Sequence, residues 1–175
     1  MTVNEGRWTA RLDGDFVVFI IGAKVRNPLR ALKALPLLGQ MNAMLKDLGQ
    51  DESKGLLAHQ RHGGPFGVIV TYWRSFDALE AFARDPQDRH AKVWRAWFRI
   101  AQHHNPSAGI WHETFRVRAG EYEAIYQNMP DIGLLKAGRP ARVGDRSETA
   151  RERIGLTVPG QLRPPAEPEQ APLTG

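Results

Sequence analysis

The chain carries six histidines and no cysteine, so any side-chain chemistry must rest on imidazole, carboxylate or a bound cofactor. The lack of thiols excludes a disulfide framework, a thiolate nucleophile, an iron–sulfur cluster and a cysteine-ligated zinc. His90 heads a stretch whose helical spacing runs through Val93, Trp94, Trp97, Ile100, Ala101 and His104. That spacing places its imidazole on an apolar, tryptophan-rich stripe, with Arg89, Lys92, Arg95 and Arg99 on the wetter side. A neutral imidazole beside a flat aromatic wall suits an axial ligand to haem iron. It equally suits a histidine hydrogen-bonded into the core or into a dimer interface.

A second set of residues lies in 109–117. Alternation puts Trp111, Glu113, Phe115 and Val117 on one face and Ile110, His112, Thr114 and Arg116 on the other. Glu113 thus falls among apolar neighbours, where an unpaired carboxyl has a raised pKa and can serve as general acid or base. The alternative is a structural salt bridge to an arginine on a neighbouring strand. His59 and Arg61 share one face of a further strand and could position a polar or anionic substrate group, or stand on a solvated edge. His103 and His104, just before Pro106, fit a helix C-terminus, where cations are favoured. There is no GxGxxG, Walker loop or GxSxG elbow, so nucleotide binding and serine hydrolysis lack support.

The elements that must position these residues follow from periodicity and punctuation. Residues 8–12 read as a short lead-in and Gly14 as a turn. Residues 15–26 (DFVVFIIGAKVR) read as a strand apolar on both faces, hence central in its sheet. Asn27-Pro28 is a helix start, and Leu29, Leu32, Leu35, Leu38, Met41, Leu45 and Leu48 form one apolar stripe that Pro36 kinks or splits. Residues 55–62 and 66–73 form a hairpin through Gly63-Gly64-Pro65. Ser75 caps a helix over 76–84, a second helical stretch spans 89–104, and strands follow at 109–117 and 120–128. The order strand, helix, strand, strand, helix, strand predicts an α+β fold of ferredoxin-like split βαβ type. One sheet with helices on one face leaves its other face bare, which predicts a homodimer. The unit spans 6–135, with 136–175 as a Pro-rich C-terminal arm or disordered tail.

Composition narrows the partners. A length of 175 residues with 42% apolar content suits one domain with a real core. The net charge of +5 is dispersed, with basic residues standing beside acids as in Arg84-Asp85 and Asp88-Arg89, so no nucleic-acid partner is expected. No apolar run nears the roughly 18 residues of a membrane span, and the opening residues carry no export signal. A cytoplasmic protein without a membrane partner is expected.

Two blocks carry a family resemblance: 72–98 (YWRSFDALEAFARDPQDRHAKVWRAWF) and 109–130 (GIWHETFRVRAGEYEAIYQNMP), running on to Ile132-Gly133-Leu134. With Gly6-Arg7 and 15–21, they resemble the fumagillin-pathway monooxygenase-like family of the dimeric α+β barrel superfamily, which includes the antibiotic-biosynthesis monooxygenases. The resemblance implies either cofactor-free oxygenation in a pocket between helices and sheet, or haem chemistry with iron held by a helix histidine. The Tyr72-Trp73-Arg74-Ser75 turn, then Phe82, then His90 is similar to the haem-degrading arrangement, with a shorter spacing and a break at Pro86. The expectation is a monooxygenase-type oxidoreductase of secondary metabolism acting on a hydrophobic or aromatic substrate. Trp73, Phe82, Trp94, Trp97 and Trp111 would enclose that substrate. If haem binds, His90 is the metal ligand, Trp73, Phe82, Trp94 and Trp97 line the haem, and His59, Arg61 or Glu113 serve as distal groups. Without a cofactor, Glu113 or His112 removes the substrate proton. The alternatives are a haem-dependent lyase of aldoxime-dehydratase type and a non-catalytic dimer that binds a small ligand or haem.

Overall fold

A computed structural model describes residues 2–27, 35–64, 67–85, 108–144 and 147–156. Its main layer is an antiparallel four-stranded sheet made of β2 (Phe16–Val25), β3 (Leu56–His62), β4 (Val68–Trp73) and β5 (Ala108–Val117), in the order β3-β4-β2-β5. As its apolar composition on both faces predicts, β2 is central, with Phe19 opposite Thr71 of β4 and Thr114 of β5. Helix α1 (Leu35–Leu48) and helix α2 (Phe76–Arg84) supply the residues packed on one face. The strand–helix–hairpin–helix–strand order and this strand order make the chain an α+β protein of ferredoxin-like type.

The core shows why these elements form. The odd residues of β2 (Val17, Phe19, Ile21) and Ile69 and Trp73 of β4 meet Met44, Leu45 and Leu48 of α1 and Leu79 and Phe82 of α2. Pro36 is the second residue of α1, where a missing N–H costs the helix nothing; the preceding part of the expected kinked helix lies outside the described residues. Helix α2 has the predicted bounds: the Ser75 hydroxyl accepts from the Ala78 N–H at 3.1 Å, Asp77 sits in the first turn and Arg84 in the last. Before β3, a single 3₁₀ turn (Glu52–Lys54) ends on Gly55 at φ +79°. A Cβ there would stand 2.8 Å from the Ala78 methyl, so only glycine permits both the left-handed turn and the close approach of α2.

A second sheet corrects the reading of the N-terminal residues as a mere lead-in. Strand β1 (Asn4–Arg11) is the centre of an antiparallel sheet β6-β1-β7, flanked by β6 (Tyr126–Met129) and β7 (Arg139–Arg142). Thr9 and Ala10 of β1 are buried, and the Arg142 guanidinium lies 4.8 Å above the Trp8 ring. A five-residue helix, α3 (Gly133–Ala137), buries Leu135 against β1 and β3. The strand expected over 120–128 begins instead at Tyr126. The preceding residues are held by a turn, with the Glu121 N–H donating to the Arg118 carbonyl, and by the Tyr122 hydroxyl, which accepts from the Leu12 N–H at 2.6 Å.

The first part of the expected C-terminal arm is structured. Beyond β7, helix α4 (Ala150–Arg153) opens on a reciprocal cap between Thr149 and Glu152. The Arg153 side chain is largely shielded from solvent, pairs with Glu123 and donates to the Ser147 and Glu148 carbonyls. Among the described residues, no helix is long and apolar enough to cross a membrane.

Candidate active site

Between the four-stranded sheet and the two helices lies a cavity of about 730 Å³, within the range of small-molecule sites. Its floor is the alternating set Phe19 and Ile21 of β2, Ile69, Thr71 and Trp73 of β4, and Ile110, His112 and Thr114 of β5. Met41, Met44 and Leu45 of α1 and Phe76, Leu79 and Phe82 of α2 complete an almost wholly apolar wall.

The inner end is rigid. Trp73 is 1% exposed and Thr71 2% exposed. The indole Nε1–H of Trp73 donates to the Thr71 hydroxyl at 2.8 Å, and that hydroxyl donates to the Phe19 carbonyl at 3.1 Å. The Phe82 ring stacks obliquely on Trp73, with centroids 5.2 Å apart. The outer end is polar and open. His112 and Thr114 are exposed on β5, and the His112 ring leans on Phe19 with centroids 5.4 Å apart. Glu80 and Arg84, paired at 2.8 Å, stand on the α2 side. An apolar interior with one imidazole at its rim can hold a hydrophobic molecule and exchange a proton with one end of it.

The expected site residues divide. Trp73, Phe82 and His112 line the same cavity. His90, Trp94 and Trp97 lie outside the described residues. Glu113 and Trp111 are on the opposite face of β5 and do not join this cavity. Glu113 is exposed opposite Ile20, and Trp111 lies flat over Gly22, where a Cβ would stand 2.7 Å from the indole. Trp111 therefore encloses nothing on the cavity side, because a strand sends neighbouring side chains to opposite faces. His59 and Arg61 pair with Thr71 and Ile69, so they share the cavity's face of the sheet, but they stand on the far edge strand and are not among its lining residues. Burial, then the charges of Lys136 and Arg61, hold the His59 imidazole below its ordinary value, and burial lowers Arg61 as well. Among the described residues, no group of three or more metal-ligating side chains occurs.

Sequence reasoning missed Thr71, Thr114 and the methionines Met41 and Met44. Alternation back from Trp73 names Thr71, and alternation on from His112 names Thr114. Met41 stood in the helix stripe as a core residue, with nothing to distinguish a core position from a cavity wall.

Residues 16–134 match the family model described as monooxygenase af470-like. The chain belongs to the monooxygenase af470-like family. Over 154 residues, 83% of the chain, it is 31% identical to monooxygenase af470 of Aspergillus fumigatus. The chain spans about half of that relative, 54% of its length. Among solved structures, it is similar to an aldoxime dehydratase crystallised with butyraldoxime, at 20% identity and a TM-score of 0.57, covering 87% of this chain and 44% of the other. A further aldoxime dehydratase gives 19% identity and a TM-score of 0.54, over 85% of this chain and 43% of that one. At such identities the likeness is one of fold and carries no activity.

Proposed function

We propose that the protein is a small-molecule oxidoreductase of monooxygenase type that binds a hydrophobic or aromatic substrate in the cavity under α1 and α2. The observation that carries this reading is the apolar cavity of about 730 Å³ with His112 at its rim. Family membership supports the reaction class. The substrate is held by shape and desolvation against Trp73, Phe82 and Leu79, and its reacting end is kept at the β5 wall. There His112 takes or returns a proton at an imidazole nitrogen, while the apolar walls exclude water from the rest of the molecule.

The cavity also fits haem: it is apolar and aromatic-walled, and an imidazole lines it. Phe19, Trp73, Phe82 and His112 are the described residues that would line it, and His90 remains the ligand proposed from the sequence. Haem, when bound, would supply oxygen activation; the chain would supply burial, orientation and a proton at His112. Adding haem to the purified protein should produce a Soret band that His90→Ala abolishes, with oxygen uptake dependent on an apolar aromatic substrate. Full oxygen uptake by colourless protein would overturn the haem part of the reading. Absence of both turnover and substrate binding would overturn the monooxygenase reading in favour of a non-catalytic module.

A second copy of this chain is proposed to cover the outer face of the four-stranded sheet. Trp111 and Phe115 there are 40% and 48% exposed, beside Val18 and Ile20. Apolar exposure of this kind marks an interaction surface. One chain spans 44% of the aldoxime dehydratase that it is similar to in fold, a little under half of that chain. Analytical ultracentrifugation should show a dimer; a monomer at tens of micromolar would overturn it.

A further inference from the structure

We infer that Thr71 is a specificity-determining residue: by taking the Trp73 N–H within the protein, it makes the inner end of the cavity a place where no hydrogen-bond donor is on offer to a ligand. The inference rests on the reading of the cavity as the substrate site and names the class of substrate. The ligand is a one-ended amphiphile, with a hydrocarbon end against Trp73 and a single hydrogen-bonding group left at His112 and Thr114.

Every hydrogen-bond donor of the inner wall already has a partner within the protein. The inner wall has two side chains with polar hydrogens, Trp73 and Thr71, both buried. The indole has one N–H and it goes to the Thr71 oxygen; the hydroxyl has one proton and it goes to the Phe19 carbonyl. No donor remains for a ligand. The other inner residues, Met44, Leu45, Leu79 and Phe82, have none to give. At the outer end the count reverses. The Thr114 hydroxyl has no partner among the described residues, the His112 ring leans on Phe19 and makes no hydrogen bond among them, and both side chains are exposed. A ligand carbonyl pushed inward would lose its water without replacement, whereas the same group at the β5 rim keeps a partner. Glu80 and Arg84 already satisfy each other on the opposite rim, so the group is not required to be charged.

The test uses four fluorescent probes: pyrene itself, pyrene with one hydroxyl, and that hydroxyl compound with either a methyl or a formyl group on its opposite edge. Methyl and formyl are of similar bulk, so their difference reads hydrogen bonding rather than size. In the unaltered protein the formyl compound should bind about tenfold more weakly than the methyl compound. Thr71→Ser keeps the hydroxyl and should keep that ratio. Thr71→Val frees the indole N–H to meet the carbonyl, and the ratio should fall to near one. His112→Ala should remove the advantage of hydroxypyrene over pyrene itself. Equal binding of the methyl and formyl probes by the unaltered protein would overturn the inference while leaving the cavity reading intact, as would a ratio unchanged in a folded Thr71→Val variant. Should Thr71→Val not fold by circular dichroism, the ratios of the unaltered protein and of Thr71→Ser decide. Failure of all the probes to bind would overturn the cavity reading itself, and the inference with it.

Discussion

The two edges of the four-stranded sheet are finished in opposite ways. At the β3 edge, Leu56 and Ala58 are buried, α3 packs alongside, and the Gly55 carbonyl accepts the Arg74 N–H at 2.9 Å. The Arg74 guanidinium reaches back to the Ser53 carbonyl at 3.2 Å. At the β5 edge, every residue from Trp111 to Arg116 is exposed, although β5 pairs with β2 along its whole length. An edge strand is normally short, charged or covered. This one carries a tryptophan and a phenylalanine on one face and the cavity's polar rim on the other. The β3 edge is completed by the chain itself; the β5 edge is the one at which we propose a small molecule on one face and a second copy on the other.

The largest test of that contrast is at the rigid end. Trp73→Ala should cost about 3–5 kcal/mol in urea denaturation, because it removes a fully buried indole and strands Phe82. On the outer face of β5, Phe115→Asp should weaken self-association roughly hundredfold by ultracentrifugation and leave the concentration-independent part of the stability unchanged. If Phe115→Asp instead unfolds the monomer, the two edges are not different in kind. Between these extremes stands Gly22→Val, which forces the Trp111 indole off the sheet. It should cost about 1–3 kcal/mol in thermal unfolding and disturb the dimer as well.

The smallest effect belongs to His59 on the finished edge. Its pKa in the folded state lies below the ordinary 6.5, mainly through burial. Between those two values the unfolded chain binds more protons than the folded one, so the contribution is fully present above 6.5 and is lost as pH falls through the window below it. The melting temperature should drop on acidification from pH 7, and the slope should flatten in His59→Gln. An unchanged slope would remove His59 from the finished edge's electrostatics.

What the sequence made legible follows the range of the interactions. Strands β2 to β4 and helix α2 follow from local period and from the Ser75 cap, because each buries a face that its own residues spell out; β5 follows from its alternation alone. The second sheet was not legible: β1 contributes only Thr9 and Ala10 to the interior, and its partners lie more than a hundred residues away, beyond any local window. In the site, Trp73 and Phe82 were legible as large aromatics flanking a turn, and alternation alone placed His112 apart from Glu113. Pooling Trp111 with the enclosing aromatics ignored that same alternation. The hydrogen bond from Trp73 to Thr71 could not be read, since it joins two residues of one strand through a side-chain rotamer rather than a pattern.

The central place of β1 has a consequence for biosynthesis. The strand leaves the ribosome more than a hundred residues before β6 and β7, which pair with its two sides and begin at Tyr126 and Arg139. At about 5–20 residues per second, both edges of β1 wait on the order of ten seconds for their partners. During that interval the nascent chain shows an open strand that carries Trp8. Conditions that slow translation between β5 and β7 should therefore lower the soluble yield more than the same delay placed after residue 156.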